Sequence, residues 1–168
     1  GMETISDCMN EPDLKAAARK LMLNEQAPTL HVPDGVDIDR YAGDLIARFS
    51  NSALRHKTTQ IASDGSQKLP QRLLAPIGHH LATGHTWPLS ALAVAGWMHY
   101  CRGTSESGAL LPLNDPLAEQ IRSFAAQSGG ADYVNSLLSL TPIFGAELPA
   151  SPVFTGKVRS AYDAIGEN

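Results

Sequence analysis

The chain has 168 residues, about one domain, long enough to bury a core without disulfide or metal staples. Hydrophobic residues make up 43% and charged ones 18%, a balance that fits neither a disordered chain nor a membrane-spanning one. A formal net charge of −4 argues against a general binder of nucleic acid or anionic membrane, whose footprint would be basic.

Gly1-Met2 reads as a tag residue before a start methionine, and no charged-then-apolar leader follows it. Prolines then mark helix starts at Asn10-Glu11-Pro12, Asp115-Pro116 and Ser151-Pro152, each preceded by a capping side chain or an acid. The first helix is predicted over 12–25, stopping before Pro28. A loop follows, with Pro33-Asp34-Gly35 as its turn. Asp37 then caps a second helix, whose Ile38, Tyr41, Leu45 and Phe49 fall on one face. Residues 54–62 read as helical and end at Asp64-Gly65. Ser66 opens a longer helix to about residue 82, with Leu69, Leu73, Ile77 and Leu81 at fourfold spacing.

The stretch TWPLSALAVAGWMHYC is apolar nearly all round, which predicts the central, most buried helix. Its longest apolar run, 89–98, is about half of the ~20 residues that a bilayer span needs. Ala91, Ala93, Ala95 and Gly96 permit close helix contacts there. Asp115 starts another helix to about residue 127, closed by Gly129-Gly130, and helices over 131–140 and 151–165 complete the set. No alternating, β-branched run predicts a strand. The expected fold is all-α, with about seven or eight helices in one domain and no internal repeat.

Chemistry-bearing residues are few. His79, His80 and His85 lie near a helix end without an Asp, Glu or Cys at ligand spacing, so they read as solvated or C-terminal-turn histidines rather than a metal site. Cys8 and Cys101 sit far apart with no CxxC pair, which suits inert thiols in a reducing, cytoplasmic compartment. Phosphate cradles of the GxGxxG or GxxxxGK[ST] type and GxSxG elbows are absent.

The run SDGSQKLPQRLL, 63–74, is different. Arg55, His56, Lys57, Lys68 and Arg72 bracket an Asp64-Gly65-Ser66 corner. Gly65 would let the backbone turn tightly and Ser66 would cap the next helix, leaving Lys68 in its first turn. A lysine there opposes the helix dipole. Two readings stay open on spacing alone: a capped corner with solvated cations or an Asp64 ion pair, and a lysine reaching into a site.

Several segments in order resemble the mannitol dehydrogenase family, the polyol-specific long-chain dehydrogenases and reductases. They are MNEPDLKAAARKLM, the long stretch from APTLHVPDGVD through SDGSQKLPQRLL, SALAVAGWMHYCRG, NDPLAEQIR and IFGAELPASPVF. The flavour of RFSN-x-ALRHKT-x-QIA-x-DGSQKLPQRLL is similar to the mannonate and fructuronate branch. The resemblance implies an all-α C-terminal domain like that of 6-phosphogluconate dehydrogenase, covering 1–168, that closes over substrate beside an N-terminal Rossmann domain holding NAD(P). In the family a lysine is the general base, and an Asn and a His of a K-x4-N-x2-H helix orient the reacting oxygen, without a metal. That motif does not occur in this sequence, whose opening METISDCMNEP is similar to the segment that follows it. The Rossmann domain and the catalytic trio are therefore expected outside this chain, and the chain alone is not expected to be catalytic.

Two substrate contacts carry over by the resemblance. The lysine of DGS-x-K is Lys68, and an arginine contact four residues before the Asp of that motif in mannitol 2-dehydrogenases is Gln60 here, which puts mannitol itself in doubt. Asp64 and Ser66 are expected to hold Lys68 in place. Arg72 and the Arg55-His56-Lys57 run are further candidates for a hexuronate carboxylate, or else surface groups. The implied partners are a sugar alcohol or hexuronate, a separate Rossmann-domain chain, and a second copy by self-association. The alternative is a non-catalytic helical binding or assembly module derived from the family.

Overall fold

The computed structural model describes residues 2–105, 107–127 and 129–166. The described residues are helical with no strand, as the sequence predicts; two isolated bridges, Thr4 with Lys57 and Thr104 with Leu110, are the β pairing among them. The chain divides into two compact units, Gly1–Ala62 and Ser63–Asn168.

The first unit opens with a helix absent from the sequence prediction, α1 (Ile5–Asn10). A reciprocal capping box starts it: the Asp7 N–H donates to Thr4 Oγ1 at 3.2 Å, and the Thr4 N–H donates to Asp7 Oδ2 at 2.8 Å. These bonds hold the Asp7 carboxyl below its ordinary value. Then comes α2 (Pro12–Lys20), which runs on through a π turn, Leu21–Gln26, and a 3-10 turn, Ala27–Thr29, past Pro28. The next helix, α3 (Ile38–Phe49), begins as predicted, with Asp37 accepting the Arg40 N–H at 2.9 Å.

Its packed face is rotated from the predicted stripe. Ala42 and Ile46 are buried, Ile38, Leu45 and Phe49 are half-buried, and Tyr41 is 62% exposed. Both α1 and α2 pack on α3, and the small Ala42 is among its buried residues. The predicted helix over 54–62 is also broken. The Ile5 N–H donates to the His56 carbonyl and the Thr58 N–H to Glu3, so pairing with the N-terminal segment takes the backbone groups a helix would use. A 3-10 turn, Ser52–Leu54, and the left-handed Arg55 (φ 47°) precede it, and only α4 (Thr58–Ala62) remains α-helical.

The second unit begins with α5 (Gly65–Leu69), a π turn (Pro70–Leu74) and α6 (Ala75–Thr83) in continuous succession. Pro76 has no N–H for the Arg72 carbonyl and its ring crowds that oxygen, so the ladder slips. Ala75 N–H instead donates to the Pro70 carbonyl, five residues back. The wider turn changes which leucine faces inward. Leu74 is 3% exposed, whereas Leu73 of the predicted fourfold series is only half-buried.

The predicted central helix is α7 (Pro88–Tyr100), with Ser90, Ala91, Val94, Ala95, Trp97 and Met98 all buried. It packs along α12 (Pro152–Gly166), where Trp87 stacks on Phe154 with ring centroids 5.9 Å apart. Between them in sequence come α8 (Ala118–Gln127) and α9 (Gly130–Leu138). Gly129 and Gly130 open α9 rather than close α8, and Gly130 (φ 50°) takes the left-handed conformation open to glycine. Two one-turn helices, α10 (Thr141–Phe144) and α11 (Glu147–Ala150), lead into α12. At the far end of α7, Tyr162 stacks on His99 and accepts the Arg102 Nε–H at 2.8 Å.

Candidate functional site

The lysine turn lies wholly within the second unit, and the side chains expected to shape it do so differently. Asp64 occupies the cap position of α5, but in the left-handed conformation (φ 57°) and without a side-chain cap bond. Ser66 is therefore not the cap; it is a buried first-turn residue. The tight bend sits at Asp64, not at Gly65. Glycine is needed at 65 for room, since a Cβ there would lie 2.2 Å from Trp97 Nε1. The Trp97 Nε1 itself is buried without a hydrogen-bond acceptor.

The backbone groups of the turn are satisfied from a distant segment. Asp64 N–H donates to the Asn114 carbonyl at 2.8 Å, and Ser66 N–H donates to Asp115 Oδ2 at 2.8 Å. Asp115 Oδ1 also accepts the Leu117 N–H at 2.9 Å, ahead of α8. One carboxylate thus serves both the first turn of α5 and the turn ahead of α8. Lys68 is half-buried, and its Nζ donates to the Ser63 carbonyl at 2.5 Å. The result is a cation held at the bend by the Ser63 carbonyl, with hydrogen-bond donors of the kind that an anionic or hydroxyl-rich ligand takes.

Asp64, Ser66 and Lys68 are brought together in one turn. Gln60 belongs to the first unit, on α4, where it is exposed and its Oε1 accepts the Lys57 N–H at 3.2 Å. Arg55, His56 and Lys57 are exposed in that unit, and Arg72 is exposed on the π turn. Sequence reasoning missed Trp97 and Asp115; no local pattern marks either as a neighbour of the turn.

The histidines divide. His79 and His85 are exposed, whereas His80 is 1% exposed in the last turn of α6, fitting the C-terminal-turn reading and not the solvated one, and meets both rings edge-on at about 6 Å. Among the described residues no group of three or more His, Cys, Asp and Glu side chains is placed to hold a metal ion. Cys8 and Cys101 are free thiols, and burial pushes both above the ordinary thiol value. An open groove of about 450 Å³ runs between α7 and α12, lined by Pro88, Ala91, Gly156 and Ser160 among others. Its cation, Lys157, lies 5.1 Å from the centre of the Trp87 ring, and no acid–base pair accompanies it. The described residues do not fit a dinucleotide: that cradle needs strands leading into glycine-rich turns, and none occurs among them. No helix among them is long and apolar enough to cross a membrane.

Comparison with known proteins bears on the chain as a whole. Residues 1–166 match the family model described as the mannitol dehydrogenase C-terminal domain. D-mannonate oxidoreductase of Escherichia coli K12 is 49% identical over 167 residues, which are 99% of this chain and 34% of that protein. Mannitol 2-dehydrogenase of Phaeosphaeria nodorum is 29% identical over 98% of this chain and 28% of its own length. The structure of Pseudomonas fluorescens mannitol 2-dehydrogenase, a ternary complex with NAD and D-mannitol, superposes with a TM-score of 0.93 at 32% identity. That match covers 100% of this chain and 34% of the other. The chain thus spans about a third of the length of the relatives it matches. A match over nearly every residue, in sequence and in helical architecture, places this chain in the mannitol dehydrogenase family, to whose C-terminal domain it corresponds.

Proposed function

We propose that this chain is the substrate-side helical domain of an NAD(P)-linked oxidoreductase that interconverts a sugar alcohol or aldonate with its ketose or keturonate. The observation that carries the proposal is Lys68, a half-buried cation fixed at a rigid turn. An ammonium has three donors, and a sugar hydroxyl or carboxylate is an acceptor of matching chemistry. Gln60, in the first unit, carries a neutral amide of the kind that hydrogen-bonds hydroxyl oxygens. Asp64 and Ser66 contribute backbone to the turn rather than side-chain contacts.

In this reading the hydride acceptor or donor is NAD(P), held by a Rossmann domain outside these residues, together with the catalytic lysine, asparagine and histidine. Such an enzyme works in the cytoplasm. What these residues do is bind and orient: Lys68 offsets ligand charge and fixes one end of the chain of hydroxyls. Binding alone does not lower the barrier to hydride transfer, so the isolated chain is inactive.

Calorimetric titration with D-mannonate and D-mannitol tests the reading. Binding weakened at least about tenfold by Lys68→Ala, the loss of one charge-assisted hydrogen bond, is the expected result. No heat with either ligand, or binding indifferent to Lys68→Ala, counts against it. Mixing the chain with a separately produced cofactor domain and following NADH absorbance then tests complementation in trans. A second reading, a non-catalytic assembly module, is favoured by the exposed apolar side chains Leu30, Tyr41, Leu54 and Ile61 of the first unit. Self-association without ligand binding is its signature.

A further inference from the structure

We propose that Asp115 is the positioning residue of the lysine turn, acting on ligand through Lys68 without touching it. The inference rests on the reading of Lys68 as a ligand contact. A helix start is ordinarily capped by the side chain at its own first position. At α5 that residue, Asp64, makes no such bond and instead adopts a left-handed backbone that non-glycine residues seldom take. Such a conformation persists only when the surroundings over-determine it.

The surroundings here are specific. Asp115 Oδ2 takes the Ser66 N–H, the neighbouring Asn114 carbonyl takes the Asp64 N–H, and the Trp97 indole fills the space where a Cβ of residue 65 would stand. Two hydrogen bonds and one aromatic wall therefore fix the three residues just before Gln67 and Lys68. The Ser63 carbonyl, which receives the Lys68 ammonium, is the residue before the bend. A change of the bend moves donor and acceptor relative to each other. The second oxygen of Asp115 is committed to the Leu117 N–H, so the carboxylate cannot swing away without uncapping two segments. Both oxygens are needed, and asparagine, with one carbonyl oxygen, can satisfy only one of the two donors.

The test uses the 168-residue chain with two readouts. The first is the affinity for D-mannonate by calorimetry. The second is the NMR relaxation of the Lys68 side-chain Cε, which reports the order of the ammonium arm whether or not ligand binds. The expected outcome for Asp115→Ala is a Lys68 Cε as mobile as that of the exposed Lys20, and an affinity about tenfold weaker, the scale of one lost charge-assisted contact. Asp115→Asn falls between wild type and Asp115→Ala on both measures. A cooperatively melting Asp115→Ala variant with unchanged Lys68 relaxation overturns the proposal. Should that variant not fold, Asp115→Asn decides by the same criterion. Lost Lys68 order in a chain whose wild type binds no D-mannonate supports the positioning role and sinks the ligand-contact reading instead.

Discussion

Residues 63–168 and residues 1–62 hold together by different means. The second unit buries Trp87, Tyr133, Phe154, Ile77 and Met98 to 1% exposure or less, in one apolar cluster built around α7 and α12. Among the described residues of the first unit, the buried apolar side chains are Ala42 and Ile46. Its other buried members, Ser6 and Glu25, are polar. Its definition comes instead from caps and surface pairings: the Thr4–Asp7 capping box, the Asp37 cap, the Thr4–Lys57 bridge and the Arg19–Asp39 ion pair. A core of large side chains tolerates little change, whereas caps and surface pairs each contribute about 1 kcal/mol or less and fail singly. The lysine turn is thus attached to the more rigid of the two regions.

Truncation in each unit offers the strongest way to break that contrast. Phe154→Ala is expected to cost about 4 kcal/mol by denaturant unfolding, against about 2 for Ile46→Ala. Equal costs would show that the first unit has a core of similar quality. Gly65→Ala comes next, at about 2–3 kcal/mol, because the new methyl must displace the Trp97 indole from a packed interior. A Gly65→Ala protein as stable as wild type would remove Trp97 as a wall of the turn.

Alkaline pH sharpens the contrast further. Burial raises both Cys101 and Tyr133 above their ordinary values of 9.0 and 10.0, so the folded state holds these protons more tightly than the unfolded chain. The contribution of Cys101 is complete below about pH 9 and that of Tyr133 below about pH 10, and each is lost as pH rises beyond, by at most about 1.4 kcal/mol per unit. Melting temperatures measured from pH 8 to 10.5 are expected to fall, less steeply in Cys101→Ala. Both groups sit in the second unit. The smallest effect belongs to the first: Asp39→Ala breaks a pair whose side chains are 43% and 69% exposed, at about 0.5 kcal/mol. A loss above 1 kcal/mol would mean the surface pair matters more than its exposure allows.

What was legible in the sequence follows the same division between local and distant causes. Asp37 caps α3, Pro12 and Pro152 open α2 and α12, and the all-round apolar pattern of TWPLSALAVAGWMHYC marks the central helix, because each signal acts within a few residues. Where distant segments decide, the pattern misled. The stripe of α3 rotated toward Ala42, Leu74 replaced Leu73 at the core where the ladder slipped, and 55–57 gave up helix for pairing with the N-terminal segment. The candidate site divides likewise. Lys68 was visible through the resemblance, but the cap that Ser66 was expected to supply comes from Asp115, and the space that Gly65 leaves is set by Trp97. Neither partner is encoded near the turn, and periodicity carries no information about contacts so far along the chain.

The bond from Ser66 to Asp115 spans 49 positions. Contacts of that separation must close a long loop before they stabilise anything, and they form late relative to local helices. During synthesis, at roughly 5–20 residues per second, the lysine turn lacks its outside clamp until Asp115 has left the ribosome, several seconds after Ser66. The order of assembly is therefore helix first, site second: α5 and α6 can coil as soon as they emerge, while the bend that aims Lys68 waits for the segment ahead of α8.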